Sequence, residues 1–141
     1  MANSDSVIFD IVRNRYVALT PEEQVRQDVI HYLHKQLGYP LELMQVEAAI
    51  SLNNTVKRCD IVVYNRSLQP VMIVECKKNS VAVDAKVLEQ ASRYNLVLHV
   101  PYLFLTNGLQ SVCLYVNYVK RQLERLSALP PWNELKDMRM E

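Results

Sequence analysis

Two apolar runs decide how this chain folds: Arg58-Cys59-Asp60-Ile61-Val62-Val63-Tyr64 and Pro70-Val71-Met72-Ile73-Val74-Glu75-Cys76-Lys77. Each is rich in β-branched residues and of strand length, and the stretch from Asn65 to Pro70 carries turn residues. Both alternating faces are apolar, which predicts central strands of a sheet covered on both sides. An antiparallel hairpin centred on Ser67-Leu68 would pair Tyr64 with Val71, Val62 with Ile73 and Asp60 with Glu75. The two carboxylates would then stand opposite each other at the open end, with Cβ atoms about 4.5–5.5 Å apart. Lys77 would share the face of Glu75 and Cys76 would not, because neighbours on a strand alternate. The register is assumed, and a slip of one residue would separate the acids.

Upstream, Thr20-Pro21-Glu22-Glu23 is a helix start. Thr20 suits the cap, Pro21 the first turn, and Glu23 the reciprocal position of a capping box. Val25, Val29, Tyr32, Leu33 and Leu37 follow at helical spacing, and Gly38 and Pro40 stop the helix. A strand is predicted within Leu43 to Leu52. Downstream, Asp84 to about Leu98 has helical periodicity. Tyr102 to Thr106 and Leu109 to Val116 form a hairpin around Asn107-Gly108, a pair favoured where both turn residues need positive φ. Residues 117–126 suit either a helix or a further strand, and Ala128 to Glu141 looks like a surface tail. The order α-β-β-β-α-β-β implies an α/β (α+β) fold, a mixed central β-sheet flanked by helices on both faces. We expect one domain over residues 1–141, with its core at about 15–116 and a C-terminal extension over 117–141.

The chain has 141 residues, half of them hydrophobic, so it can bury a core. Sixteen basic and fifteen acidic side chains leave +1, which excludes a polybasic binder; any nucleic-acid contact must be a local patch. No apolar stretch reaches the roughly 18 residues of a membrane span, and the polar N-terminus lacks the order of a secretory signal. Three cysteines without a C-x-x-C pair fit reduced thiols. A cytoplasmic protein that does not contact membranes is expected. There is no phosphate-binding loop of the ATPase type. His31 and His34 lack the further ligands a zinc site needs.

Two acids and an amine beside Lys57, Arg58 and Lys78 have a definite chemistry. Carboxylates close together in an apolar setting repel unless a cation or a shared proton intervenes. Hard oxygen ligands suit Mg²⁺ or Mn²⁺. Such an ion polarises a phosphate and acidifies bound water, and Lys77 could orient that water or stabilise developing charge. An ordinary polar strand end, carrying a surface Glu–Lys patch, is the alternative. Cys59 and Cys76 would also face each other in the assumed register, as buried thiols or as a disulfide.

These residues resemble the core of the PD-(D/E)XK nuclease superfamily. More narrowly, the chain is similar to the N-terminal nuclease domain of type I restriction enzyme R subunits. The runs at 58–64 and 70–77 carry the resemblance, with Thr20-Pro21-Glu22-Glu23, Val25-Arg26-Gln27, Gln90-Ala91-Ser92-Arg93-Tyr94 and Thr106-Asn107-Gly108 in support; it covers roughly residues 15 to 116. Cys59 stands where the signature has proline. The resemblance implies a restriction-endonuclease-like fold and a Mg²⁺- or Mn²⁺-dependent nuclease acting on DNA. It implies that Asp60 and Glu75 are metal ligands and Lys77 the catalytic lysine. The helix-borne acid maps to Glu23, or else Glu22. Gln90 and Tyr94 match a Q-x-x-x-Y element, one helical face reaching the active site or substrate. Tyr94, Lys57, Arg58, Lys78 and Arg93 are the expected nucleic-acid contacts. These residues hold no motor domain, so a separate motor or recognition protein is an expected partner, and a homodimer is left open. The competing expectation is a nuclease-like module that binds nucleic acid or a partner without cleaving.

Overall fold

A computed structural model describes residues 6–52 and 54–139 of the chain. A hairpin of β1 (Val7–Asp10) and β2 (Arg15–Ala18) comes first, followed by helix α1 (Pro21–Lys35). Then come β3 (Met44–Leu52), β4 (Thr55–Tyr64), β5 (Pro70–Cys76), helix α2 (Ala85–Leu98), β6 (Tyr102–Thr106), β7 (Ser111–Asn117), β8 (Gln122–Leu126) and a one-turn helix α3 (Trp132–Leu135). Strands β3 to β8 form a six-stranded sheet in sequence order. Only β5 and β6 run parallel, joined by the α2 crossover, and every other neighbouring pair is antiparallel. This is the mixed sheet that the alternation of strand and helix signals predicts.

The sheet separates two apolar layers. On one face Val25, Val29, Ile30 and Leu33 of α1 pack with Ile61, Val63, Met72, Val74 and Cys76. On the other, Val62, Ile73 and Leu103 pack together with Leu88 of α2 against them. Strands β4 and β5 are therefore central, as their unbroken apolar runs require. Burying each such aliphatic side chain contributes about 1.5–3 kcal/mol.

Helix α1 begins as its sequence dictates: Thr20 Oγ1 accepts the Glu23 amide at 3.0 Å. The other half of the expected capping box is missing, because the Glu23 carboxylate is engaged by arginines instead. Gly38 has a φ of +79° just past the helix, the left-handed geometry that ends it.

Two features lie beyond what was expected and two expectations need correction. The N-terminal hairpin was not predicted. Residues 122–126 form a strand, which resolves the ambiguity there. The C-terminal segment is no surface tail: Leu129 and Leu135 are buried, and the buried Tyr39 hydroxyl donates to the Pro130 carbonyl at 2.7 Å. Finally, Asn107-Gly108 is not a two-residue turn with two positive φ angles. Only Gly108 is left-handed, and Asn107 Oδ1 instead accepts the amides of Leu109 and Gln110.

Candidate active site

The register between β4 and β5 is partly the expected one. Val62 pairs with Ile73, and Ile61 with Val74, but an irregularity at Val63/Tyr64 sets Tyr64 opposite Pro70 rather than Val71. At the other end the ladder stops before Asp60, so the expected pair of Asp60 with Glu75 is not formed.

The reason lies in β3 and β4. Val46 and Ile61 are paired and lie on the α1 side, whereas Ala48 and Cys59, two residues along, pair on the α2 side. Residues two apart on a regular strand share a face. The alternation therefore slips by one at Glu47 and Asp60, the position where no pair is made, and Glu47 has a φ of +54°. Local irregularities of this kind re-aim side chains.

As a result Asp60 turns towards α1 and into the gap at the end of the ladder. Its Oδ2 accepts the Cys76 amide at 2.7 Å, and its Oδ1 accepts from Arg26 Nη1 at 3.3 Å. Glu75 stays on the α2 side, paired in register with Leu105. The two acids thus approach the rim from opposite faces rather than standing on one. Their charges still interact: Asp60 is the charge that most raises the Glu75 pKa. The same slip separates the cysteines. Cys59 lies in the α2-side cluster and Cys76 in the α1-side cluster, both as free, buried thiols.

A small pocket brings together Glu75, Lys77, Lys57 and Gln90, walled by Val87, Ala91 and Leu105. Lys77 shares the Glu75 side, as alternation requires. Burial, then repulsion from Asp60, pushes the Glu75 carboxyl up to about 7, although Lys57 and Lys77 oppose the shift. Burial also raises Asp60, against the Cys76 amide and Arg26. Glu75 Oε1 is buried and has no hydrogen-bond partner among the described residues.

Glu23 has a different setting. Arg26 grips both its oxygens, through Nε at 2.9 Å and Nη2 at 2.6 Å, and Arg13 and Gln27 add further bonds. Burial would raise this carboxyl, but bonds from Arg26 and Gln27 bring it below its usual value. The helix acid whose charge reaches Glu75 is Glu22. Arg58 and Lys78 are exposed. The side chains of Arg93 and Tyr94 lie outside the described residues. Sequence reasoning gave no role to Arg13 and Arg26, which bind Glu23 and, through Arg26, Asp60; Arg26 was visible one helical turn after Glu23, while Arg13 had no local signal.

Asp60 and Glu75 thus stand at the opened end of central strands, with Lys77 two residues beyond Glu75, on a mixed sheet between helices. The family profile for type I restriction enzyme R protein N terminus (HSDR_N) matches residues 21–130, and the chain belongs to that family. Over 63 residues it is 35% identical to a type I restriction enzyme EcoAI endonuclease subunit of Escherichia coli, a match spanning 45% of this chain and 8% of that subunit. A structure described as a fragment of a type I restriction enzyme HsdR subunit from Vibrio vulnificus YJ016 superposes with a TM-score of 0.57 at 22% identity, over 83% of this chain and 24% of that one. A protein from Anabaena variabilis ATCC 29413, described as 'a putative nuclease belonging to DUF820', superposes with a TM-score of 0.56 at 10% identity, over 87% of this chain and 80% of that one. These two likenesses show a shared fold.

Among the described residues no three of His, Cys, Asp and Glu form a ready-made metal cage, and no helix is long and apolar enough to cross a membrane.

Proposed function

We propose that the chain is a single PD-(D/E)XK domain that hydrolyses DNA phosphodiester bonds with Mg²⁺ or Mn²⁺. The observation that carries this reading is Glu75: a half-buried carboxylate whose buried Oε1 has no donor among the described residues, in the electrostatic reach of a second half-buried acid and a lysine. Partly desolvated acids in such a pair are costly when ionised, and a divalent cation is a partner that removes the cost. Two carboxylates suffice for Mg²⁺, which keeps several waters and takes further ligands from substrate phosphate. Asp60 and Glu75 would hold the ion, with Glu22 or Glu23 reaching it through water. Once bound, the ion supplies Lewis acidity to the phosphoryl oxygens and lowers the pKa of a coordinated water.

The protein's own groups do the rest. The Lys77 ammonium donates hydrogen bonds to the attacking water or to a phosphoryl oxygen as negative charge develops there. Gln90, on the same pocket, orients that water or the scissile phosphate. Lys57, which lines the pocket, would touch phosphate there, and Arg58, Lys78, Arg93 and Tyr94 would contribute further DNA contacts. The family's R subunits suggest that other subunits deliver the DNA. Cleavage of plasmid DNA by the purified chain, dependent on Mg²⁺ or Mn²⁺ and abolished in a folded Lys77→Ala variant, supports the reading. Undiminished cleavage by that variant sinks the residue assignment. Inert protein that still binds DNA favours the non-cleaving module.

A further inference from the structure

Arg26 stands between two carboxylates that the proposed mechanism treats separately. Its guanidinium is almost fully buried, grips Glu23 at two points, reaches Glu47 at 3.2 Å and contacts Asp60 Oδ1 at 3.3 Å. Glu23 and Glu47 also face a second arginine, Arg13, at 3.1 and 3.6 Å. Arg13 is fixed in turn by Asp10, which is fully buried and accepts the backbone amides of Val12 and Arg13 as well as the Arg13 side chain. Four carboxylates thus interleave with two guanidiniums in one chain that begins in the N-terminal hairpin and ends on Asp60.

The consequence for Asp60 follows from its lone pairs. Each carboxylate oxygen has about two acceptor sites. The Cys76 amide takes one on Oδ2 and Arg26 one on Oδ1, which leaves one on each oxygen and fixes the plane of the group. A carboxylate held at both oxygens is oriented before any ligand arrives. A planar guanidinium, with five donors in a rigid fork, can span three carboxylates at once; an ammonium is a point charge and cannot hold that geometry.

We propose that Arg26 is a positioning residue for Asp60, and that Arg13 holds Arg26's partners in place, so that the N-terminal hairpin, outside the family match, is a working part of the metal site. The inference rests on the proposed metal-dependent reading and goes beyond it by assigning the ligand's support to residues of α1 and the hairpin. Outer partners of metal ligands typically contribute about 10- to 100-fold in metal affinity.

Calorimetric titration of Mn²⁺ into the full chain, well below the melting temperature, tests this with Arg26→Lys and Arg13→Gln. Both variants are first checked for a wild-type circular dichroism spectrum and a cooperative melt. The expected result is a Kd weaker by about 10- to 100-fold for Arg26→Lys, with a smaller loss in the same direction for Arg13→Gln. If Arg26→Lys does not fold, Arg13→Gln, whose bonds go to Asp10, Glu23 and Glu47 rather than to Asp60 or Glu75, decides alone. A merely structural arginine would lower the melting temperature and leave the affinity of the folded protein unchanged. Wild-type affinity in the folded variants overturns the positioning role and leaves the nuclease reading standing. No Mn²⁺ binding by the wild-type chain overturns both.

Discussion

The Asp60 carboxylate accepts the Cys76 amide at 2.7 Å, so a side chain supplies the bond that the next strand pair would have made. It caps the end of β5 and holds the gap between β4 and β5 open. Asp60→Asn retains an acceptor oxygen for that amide, whereas Asp60→Ala leaves the amide buried and unpaired. Chemical denaturation of the metal-free protein should find Asp60→Asn within about 1 kcal/mol of wild type and Asp60→Ala less stable than Asp60→Asn by about 1–3 kcal/mol. Equal stability of the two variants would show that the bond does not hold the strand end.

Glu75 makes stability depend on pH in a defined direction. Its folded-state pKa of about 7 lies above the ordinary 4.5, chiefly through burial and then through Asp60. The folded protein therefore binds this proton more tightly than the unfolded chain does. That stabilisation is complete below about pH 4.5 and is lost as pH rises through 7. Glu75→Gln should then match wild type near pH 4.5 and exceed it increasingly up to pH 8, by at most roughly 3 kcal/mol. Urea melts across this range without metal provide the check, and a constant difference at every pH would contradict the shift.

Tyr39 tests the docking of the C-terminal segment. Its ring is fully buried against Trp132, and its hydroxyl donates to the Pro130 carbonyl at 2.7 Å. Tyr39→Phe keeps the ring and leaves the carbonyl short of a donor, so a loss of about 1–2 kcal/mol is expected. Hydrogen exchange should show faster exchange around residues 129–135 in the variant. Unchanged stability and exchange would mean that the segment docks through apolar contacts alone.

Much of the architecture was legible because local signals agree with their tertiary settings. Thr20 and Pro21 start α1 where they stand, and the runs around Val62 and Ile73 are apolar on both faces because both faces are covered. The paired acids were legible as residue types, and Lys77 as the amine sharing the Glu75 side. Their detailed geometry was not. Nothing about the Glu47 side chain announces a positive φ, yet the slip there and at Asp60 turns one acid towards α1 and parts the two cysteines. Glu23 looks like a capping-box residue until Arg13, ten positions upstream, is brought beside it; charge-assisted bonds to guanidinium are about twice as strong as neutral ones and win. Pro130-Pro131 suggested an exposed tail, but Leu129 and Leu135 flank them and find the core only in three dimensions.

The central claim is that Asp60 and Glu75, arriving from opposite faces of an opened strand end, share one divalent ion. Anomalous diffraction from a crystal soaked in Mn²⁺ addresses it directly. A single peak about 2.0–2.3 Å from an oxygen of Asp60 and from an oxygen of Glu75 is the predicted result. A peak bound by only one of these acids, or none in a soak that saturates the crystal, would contradict it.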